Sequence, residues 1–270
     1  MRIYTRGREP DLRLGLVSLL LSAFDAEPGE VWLISPWLRD VELPASGIGH
    51  FASVFGGHRE HVLLSELLVR VASRHRLGIV VKPPGELVPL HAVQQLVQVA
   101  EARNALMQEA GISDYVATEQ AMSVLAGQVA DLTTQVTMHA DTLKLCRTLH
   151  NRGAEVRFLD RLHAKLLWTG AGTLLGSANF TQGGFGSNEE IMVEVTTSKE
   201  HLELREAARD FAGRAVPISA YNLRGALAAA GVSEAQFRGW PASLGDDGLP
   251  AELLSELNTF LLPATPVHRP

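Results

Sequence analysis

Residues 161–190 read RLHAKLLWTGAGTLLGSANFTQGGFGSNEE, and the punctuation of this stretch decides the fold. HAKLLW (163–168) and TLLGSAN (173–179) have strand composition and are separated by Thr169-Gly170-Ala171-Gly172, a hairpin-type turn. Side chains two apart on a strand leave the same face, so His163 and Lys165 share one face, as do Ser177 and Asn179 on the return strand. Cross-strand neighbours sit about 5 Å apart, which predicts Asn179 roughly opposite the His163/Lys165 pair. An imidazole, an ammonium and a carboxamide then converge: a nucleophile or proton carrier with two donors suited to phosphoryl oxygens. Glu190 follows a Gly-rich loop that can fold back under the pair. A carboxylate on the far nitrogen of His163 would fix its tautomer and support positive charge on the ring.

Outward from this hairpin the chain alternates helix and strand. DLRLGLVSLLLSAF (11–24) has helical spacing and stops near Pro28-Gly29; VWLIS (31–35) is an apolar run of the kind buried on both faces of a parallel or mixed sheet, ended by Pro36. After a Gly- and Pro-rich loop, HVLLSELLVRVASRH (61–75) reads as a helix and LGIVVK (77–82) as a second buried strand, closed by Pro83-Pro84-Gly85. AEVRFLD (154–160) and IMVEVTT (191–197) are further strands, and HLELREAARDFAGRA (201–215) is a helix. The order predicts an α/β layer fold over residues 1–215. Residues 216–270 carry Pro217, Pro241, Pro250, Pro263, Pro266 and Pro270 and read as a mainly helical, irregular appendage.

Residues 86–150 contain no strand signal. Leu90, Val93, Val97, Ala100, Asn104 and Met107 alternate steps of three and four; so do Met122, Leu125, Val129, Leu132, Val136, His139, Leu143, Cys146 and His150, a heptad seam about 28 residues long. The pattern predicts a helical hairpin inserted in a crossover. Its seam has two possible partners, the body of its own chain or a second copy.

Composition narrows the class. The 270 residues carry 24 Lys+Arg against 30 Asp+Glu, a net charge of −6, with 46% hydrophobic and 20% charged residues, which excludes wholesale disorder and collagen-like or low-complexity chains. Cys146 is the single cysteine, so there is no internal disulfide and no Cys cluster for structural zinc, and a reducing cytoplasm is the expected location. Met1–Pro10 lacks a signal pattern and the run Leu14–Leu21 is too short to span a bilayer, so no membrane association is expected. Overall acidity argues against a basic coat but leaves room for a basic cleft. Between residues 147 and 165, Arg147, Arg152, Arg157, Arg161 and Lys165 face only Glu155 and Asp160, a local +3 that suits a polyanion, DNA or RNA. Ser35-Pro36-Trp37-Leu38-Arg39-Asp40 lies at the exit of a strand, where α/β folds place ligand contacts; Ser35, Trp37 and Arg39 are therefore candidates to touch a base or phosphate, with packing the equal alternative for Trp37.

The set His163-Ala164-Lys165, Gly176-Ser177-Ala178-Asn179 and Glu190 resembles the motif of the phospholipase D superfamily: H-x-K, usually x4-D, then G-S-x-N and a downstream Glu. VWLISPW resembles that family's first core strand and EVRFLDRLHAK its approach to the site. One position departs. The family Asp falls on Gly170, and no acid stands within 166–175; some active branches, such as the tyrosyl-DNA phosphodiesterases, also lack it.

The resemblance implies a mixed β-sheet flanked by helices on both faces, with the helical hairpin inserted. It further implies a metal-independent phosphodiesterase, most simply a nuclease, in which two H-x-K motifs face each other across a twofold axis. One His attacks phosphorus to form a phosphohistidine and the other protonates the leaving oxygen. This chain has one motif, so a homodimer is implied. His163, Lys165, Asn179 and Glu190 are the expected catalytic residues, with Ser177, Arg161, Ser35, Trp37 and Arg39 as substrate contacts. No cofactor or metal is expected. The layout also resembles phospholipase D-like proteins of bacterial anti-phage and DNA-modification clusters, implying other subunits of a defence system as partners. Two rival readings stand beside this one: a non-catalytic nucleic-acid-binding or scaffold subunit, and a phospholipase or phosphatidyltransferase.

Overall fold

A computed structural model describes residues 1–5, 11–45, 59–87, 90–109, 115–137 and 140–233. In chain order the elements are β1 (Arg2–Thr5), α1 (Leu12–Asp25), β2 (Glu30–Ile34), β3 (Glu42–Pro44), β4 (His61–Leu63), α2 (Leu64–Ala72), β5 (Arg76–Val81), α3 (Pro84–Leu87), α4 (Leu90–Glu109), α5 (Tyr115–Thr137), α6 (Ala140–Asn151), β6 (Glu155–Phe158), β7 (Leu166–Thr169), β8 (Gly172–Gly176), β9 (Ile191–Val195), α7 (Ser198–Arg214), β10 (Val216–Pro217) and α8 (Leu223–Ala229). The chain forms two compact units, residues 1–83 with 144–218 and residues 84–143 with 219–270.

The first unit is built on a mixed eight-stranded sheet in the order β1-β9-β8-β7-β2-β5-β6-β10. β2, β5 and β6 run parallel, and β7 joins antiparallel to β2. Alternation sorts the side chains. Trp32, Ile34, Val80, Leu166 and Trp168 face α7, packing against Ala208, Ala212 and Ala215. The neighbouring residues Val31, Leu33, Ile79 and Leu167, all buried, point to the other face, where α1 lies against β7 and β8, and α2 against β5. Helices thus cover both faces, as the motif resemblance implied. Gly78 is required by packing, because a Cβ there would overlap the Trp32 ring.

α1 starts where Asp11 accepts the Arg13 N–H at 2.9 Å, the arrangement of an N-cap. α2 is shorter than the expected 61–75 helix, since residues 61–63 form β4 and pair with β3. Asp40 takes the Ser65 N–H at 2.9 Å and the Ser65 hydroxyl at 2.7 Å, and Glu66 takes the Leu63 N–H at 3.0 Å, which starts the helix at Leu64. β1 was not foreseen either. Its Tyr4 hydroxyl donates to Glu194 on β9 at 2.6 Å, and burial, with that carboxylate beside it, pushes the phenol up to about 12.

In the second unit α4 and α5 lie against each other, the inserted helical hairpin of the sequence pattern. The predicted 122–150 seam is distributed over α5 and α6, with residues 138 and 139 outside the described set, His139 among them. On α6 the seam residues Leu143 and Cys146 are buried and His150 is exposed, and burial raises the Cys146 thiol to about 12, leaving it inert. Beyond residue 233 the predicted appendage lies outside the described residues. Among the described residues no helix is long and apolar enough to cross a membrane.

Candidate active site

The site is assembled where β2, β5 and β6 end and β7 begins. Register does the positioning. Ile34 pairs with both Val80 and Leu166, so Lys165, one residue before β7, stands level with Ser35 at the exit of β2. Across the hairpin Leu166 faces Leu175, and the Gly176 N–H donates to the Lys165 carbonyl at 3.3 Å. Gly176 must be glycine here, because a Cβ would overlap the Ile191 carbonyl on β9.

Lys165 is 8% exposed whereas His163 is exposed, a buried cation beneath an accessible ring. The Lys165 ammonium donates to the His163 carbonyl at 2.8 Å and lies 3.2 Å from Nδ1 and 3.5 Å from Nε2. An ammonium can only donate, so a hydrogen bond to the ring requires a lone pair on the nitrogen it meets. Burial holds Lys165 below its ordinary value, Glu190 pulls it back up, and Lys82 pushes it further down.

Glu190 does not take the expected place on the far nitrogen of His163. Its carboxylate accepts from the Ser177 hydroxyl and from Asn188 Nδ2 at 3.4 Å, and it acts on Lys165 through space. Ser177 is itself pinned: its N–H donates to the Ile191 carbonyl at 2.9 Å and its hydroxyl accepts the Ile191 N–H at 3.0 Å. Two short lattices of hydrogen bonds therefore hold the acid behind the lysine rather than against the histidine.

Asn179 sits on the segment that leaves β8. Gly184 is pressed onto its backbone so closely that a Cβ would overlap the Asn179 carbonyl, and the residue's own Oδ1 is buried without a donor. A buried amide oxygen left without a partner normally signals a missing donor. The π-helical turn Gly183–Ser187 that carries Gly184 is tied back by Arg13 of α1, whose Nε donates to the Phe185 carbonyl at 3.2 Å.

The remaining candidates separate into lining and framework. Ser35 is fully buried; its hydroxyl donates to the Trp37 carbonyl at 2.7 Å and accepts the Phe180 N–H at 3.3 Å, so it stitches the end of β2 to the segment that follows Asn179. The Arg39 N–H extends that seam by donating to the Phe180 carbonyl at 2.9 Å. Trp37 is half-buried, with the Lys82 ammonium 5.0 Å from its ring centroid. Arg161 is exposed in the β6–β7 connection at this same edge, with a φ of 55°. Of the local basic run, Arg157 is spent on structure, donating to the Ala212 carbonyl at 3.2 Å and pairing with Glu155. Lys82 was passed over in the sequence, although it ends its strand beside Trp37 as LGIVVK meets Pro83-Pro84; position at the carboxyl end of a parallel strand was the available signal. Among the described residues no group of three or more His, Cys, Asp or Glu could hold a metal ion.

Gly170, where the family acid would fall, is in the turn at the opposite end of β7, exposed, with nothing within 4 Å of a Cβ built there. The turn closes without an acid, because the buried Thr169 Oγ1 accepts the N–H groups of Ala171 (3.2 Å) and Gly172 (3.3 Å).

A mixed sheet with helices on both faces, carrying one H-x-K pair backed by a G-S-x-N strand end and a glutamate, defines a phospholipase D-type domain. Residues 101–211 match the family described as "Cardiolipin synthase, PLD-like domain". No curated protein matches the sequence. Among solved structures, a phospholipase D family member, Nuc from Salmonella typhimurium, is 15% identical over 80% of this chain and 95% of its own, with a TM-score of 0.39. NucT from Helicobacter pylori is 11% identical over 80% of this chain and 98% of its own, at 0.42. TrmBL2, an archaeal chromatin protein, is 10% identical over 81% of this chain and 55% of its own, at 0.36.

Proposed function

We propose that this chain is a metal-independent phosphodiesterase acting on DNA or RNA, with two copies pairing to complete the site. The observation that carries the reading is the accessible His163 ring set against a desolvated Lys165 ammonium, with Glu190 held behind it. In the first step a ring nitrogen of His163 attacks phosphorus. The bond to the leaving oxygen breaks, and the partner copy's own imidazolium protonates that oxygen. In the second step the now neutral partner ring takes a proton from water, which displaces the His163 nitrogen from phosphorus. Lys165, with the Asn179 amide, holds the non-bridging oxygens, whose charge grows in both transition states. The two steps require one ring to start bare and the other to start protonated.

Arg161, Arg39 and Lys82, all at the edge where His163 lies, support a polyanionic substrate. Location in the cytoplasm and membership of a defence assembly with other subunits belong to this same reading.

The test is cleavage of single- and double-stranded DNA and of RNA in EDTA by the wild type and His163→Ala. The wild type is expected to cut, the variant to lose about 10⁴-fold or more, and wild type denatured with detergent at alkaline pH during turnover of DNA to carry a nucleotide joined to His163 through an acid-labile N–P bond. Cutting by His163→Ala within about tenfold of the wild-type rate sinks the covalent step. A wild type that binds nucleic acid and does not turn over favours the scaffold reading, and turnover of anionic vesicles alone favours the lipid one.

A further inference from the structure

We propose that Lys82, held over the Trp37 ring at the lip of the His163–Lys165 site, binds the phosphate next to the scissile one and so selects a polynucleotide strand over an isolated phosphodiester. The inference deepens the nucleic-acid reading above and rests on it.

Its geometry comes from the sheet. Ser35 is flanked on one side by Lys165 and on the other by Val81, because Ile34 pairs with both Leu166 and Val80. Two strand spacings separate those flanking backbones, roughly 10 Å. Lys82 is the next residue, and its N–H donates to the Pro36 carbonyl at 3.3 Å, which keeps β5 in step with β2 past the end of both strands. Two lysines thus project from one edge at a spacing that long side chains close to neighbouring-phosphate distance. Lys82 is among the groups that hold the Lys165 ammonium down.

Two like charges this near repel each other. A chain of phosphates reverses the sign of that interaction, since each anion screens one cation from the other. A diester with a single phosphate does so for Lys165 alone. The Trp37 ring, 5.0 Å from the Lys82 nitrogen, holds the ammonium at the lip instead of letting it fold across Lys165, and Ser35 fixes the Trp37 backbone in turn.

The test compares a short oligothymidylate with bis(p-nitrophenyl) phosphate, whose single phosphate has no neighbour, for wild type, Lys82→Ala and Lys82→Arg. For Lys82→Ala the preference for the oligonucleotide, as a ratio of kcat/KM values, should fall about tenfold, mostly through KM. The dependence of log K on log salt for oligothymidylate binding should become shallower by about 0.7. Lys82→Arg, which keeps the charge, should restore both. Binding is measured in a His163→Ala background as well. A wild type without turnover would defeat the catalytic reading while leaving the salt slope to decide this one. An unchanged preference ratio, or a slope that Lys82→Ala does not alter, overturns the assignment; so does an Arg variant that behaves like the Ala variant.

Discussion

At the edge of the sheet where β2, β5 and β6 begin, Arg76 lies between Glu30 at 3.5 Å and Glu155 at 2.8 Å, and Arg209 of α7 reaches Glu30 at 2.7 Å. At the edge where the same strands end, Lys165 and Lys82 repel each other, and Glu190, which opposes them, is already engaged by Ser177 and Asn188. The first edge matches each charge with its opposite at the surface, where every pair is worth a fraction of a kcal/mol to about 1. The second buries a cation that Glu190 only partly offsets. One sheet therefore separates holding the fold from meeting an anion, and substitutions at the two edges should move different measurements.

The sharpest contrast is Lys165→Met. An isosteric apolar side chain removes the donor to the phosphoryl oxygens, and turnover should fall about 10²–10³-fold. The same change lifts the cost of a desolvated charge, so the thermal midpoint should hold or rise. A drop of more than about 2 °C would show Lys165 to be part of the framework after all and would blur the division between the edges.

A smaller and more diagnostic effect is expected from Glu190→Gln, which keeps an acceptor for the Ser177 hydroxyl and deletes the negative charge. In the proposed mechanism Lys165 acts as the ammonium, and burial has already lowered the pH at which it loses its proton. Activity is then lost as pH rises through that lowered value, before a free lysine would titrate. Stability moves the other way: the penalty for carrying the buried charge is present below the lowered value, fades as pH climbs toward lysine's ordinary value, and is gone above it. Removing Glu190 takes away the influence that raises Lys165, so the alkaline limb of the rate profile should shift to lower pH, with about tenfold loss at neutrality. A limb that stays in place would mean that Glu190 serves Ser177 alone.

These two edges were unequally legible. The hairpin, β2 and β5 announce themselves because local composition suffices: apolar runs closed by Gly-Ala-Gly, by Pro36 and by Pro83-Pro84. β1 could not be found that way, since Tyr4 is fixed by a glutamate 190 residues along the chain. The β3–β4 ribbon is three residues a side, too short for any period to register. In the site, spacing alone correctly set His163 beside Lys165, because neighbours two apart on an extended chain meet by geometry. It could not say which partner Glu190 would take, a choice made by Ser177 and Asn188 from the far strand and its loop. Ser35 was read as a contact from its place at a strand exit; burial turned its hydroxyl inward, to Trp37 and Phe180. Lys82 could be noticed from its place at the carboxyl end of a strand, but its relation to Lys165 runs across two strand pairings and does not show in spacing.

The mildest prediction bears on the one motif position that departs from the family pattern. Gly170→Asp restores the acid, and if that residue took part in the chemistry the variant should be far more active. Geometry argues otherwise. Residue 170 is five positions beyond Lys165 along an extended strand, roughly 16 Å away, at the exposed tip of the hairpin. A carboxylate there is screened by solvent at more than a Debye length from the site. The turn it would join is already closed by Thr169, and Asp is well suited to such a position. Cleavage rates within about twofold of wild type and a melting shift of about 1 °C or less are expected. A tenfold gain would place the acid in communication with His163 across the length of β7, and the separation of the sheet into a structural edge and a chemical edge would have to be given up.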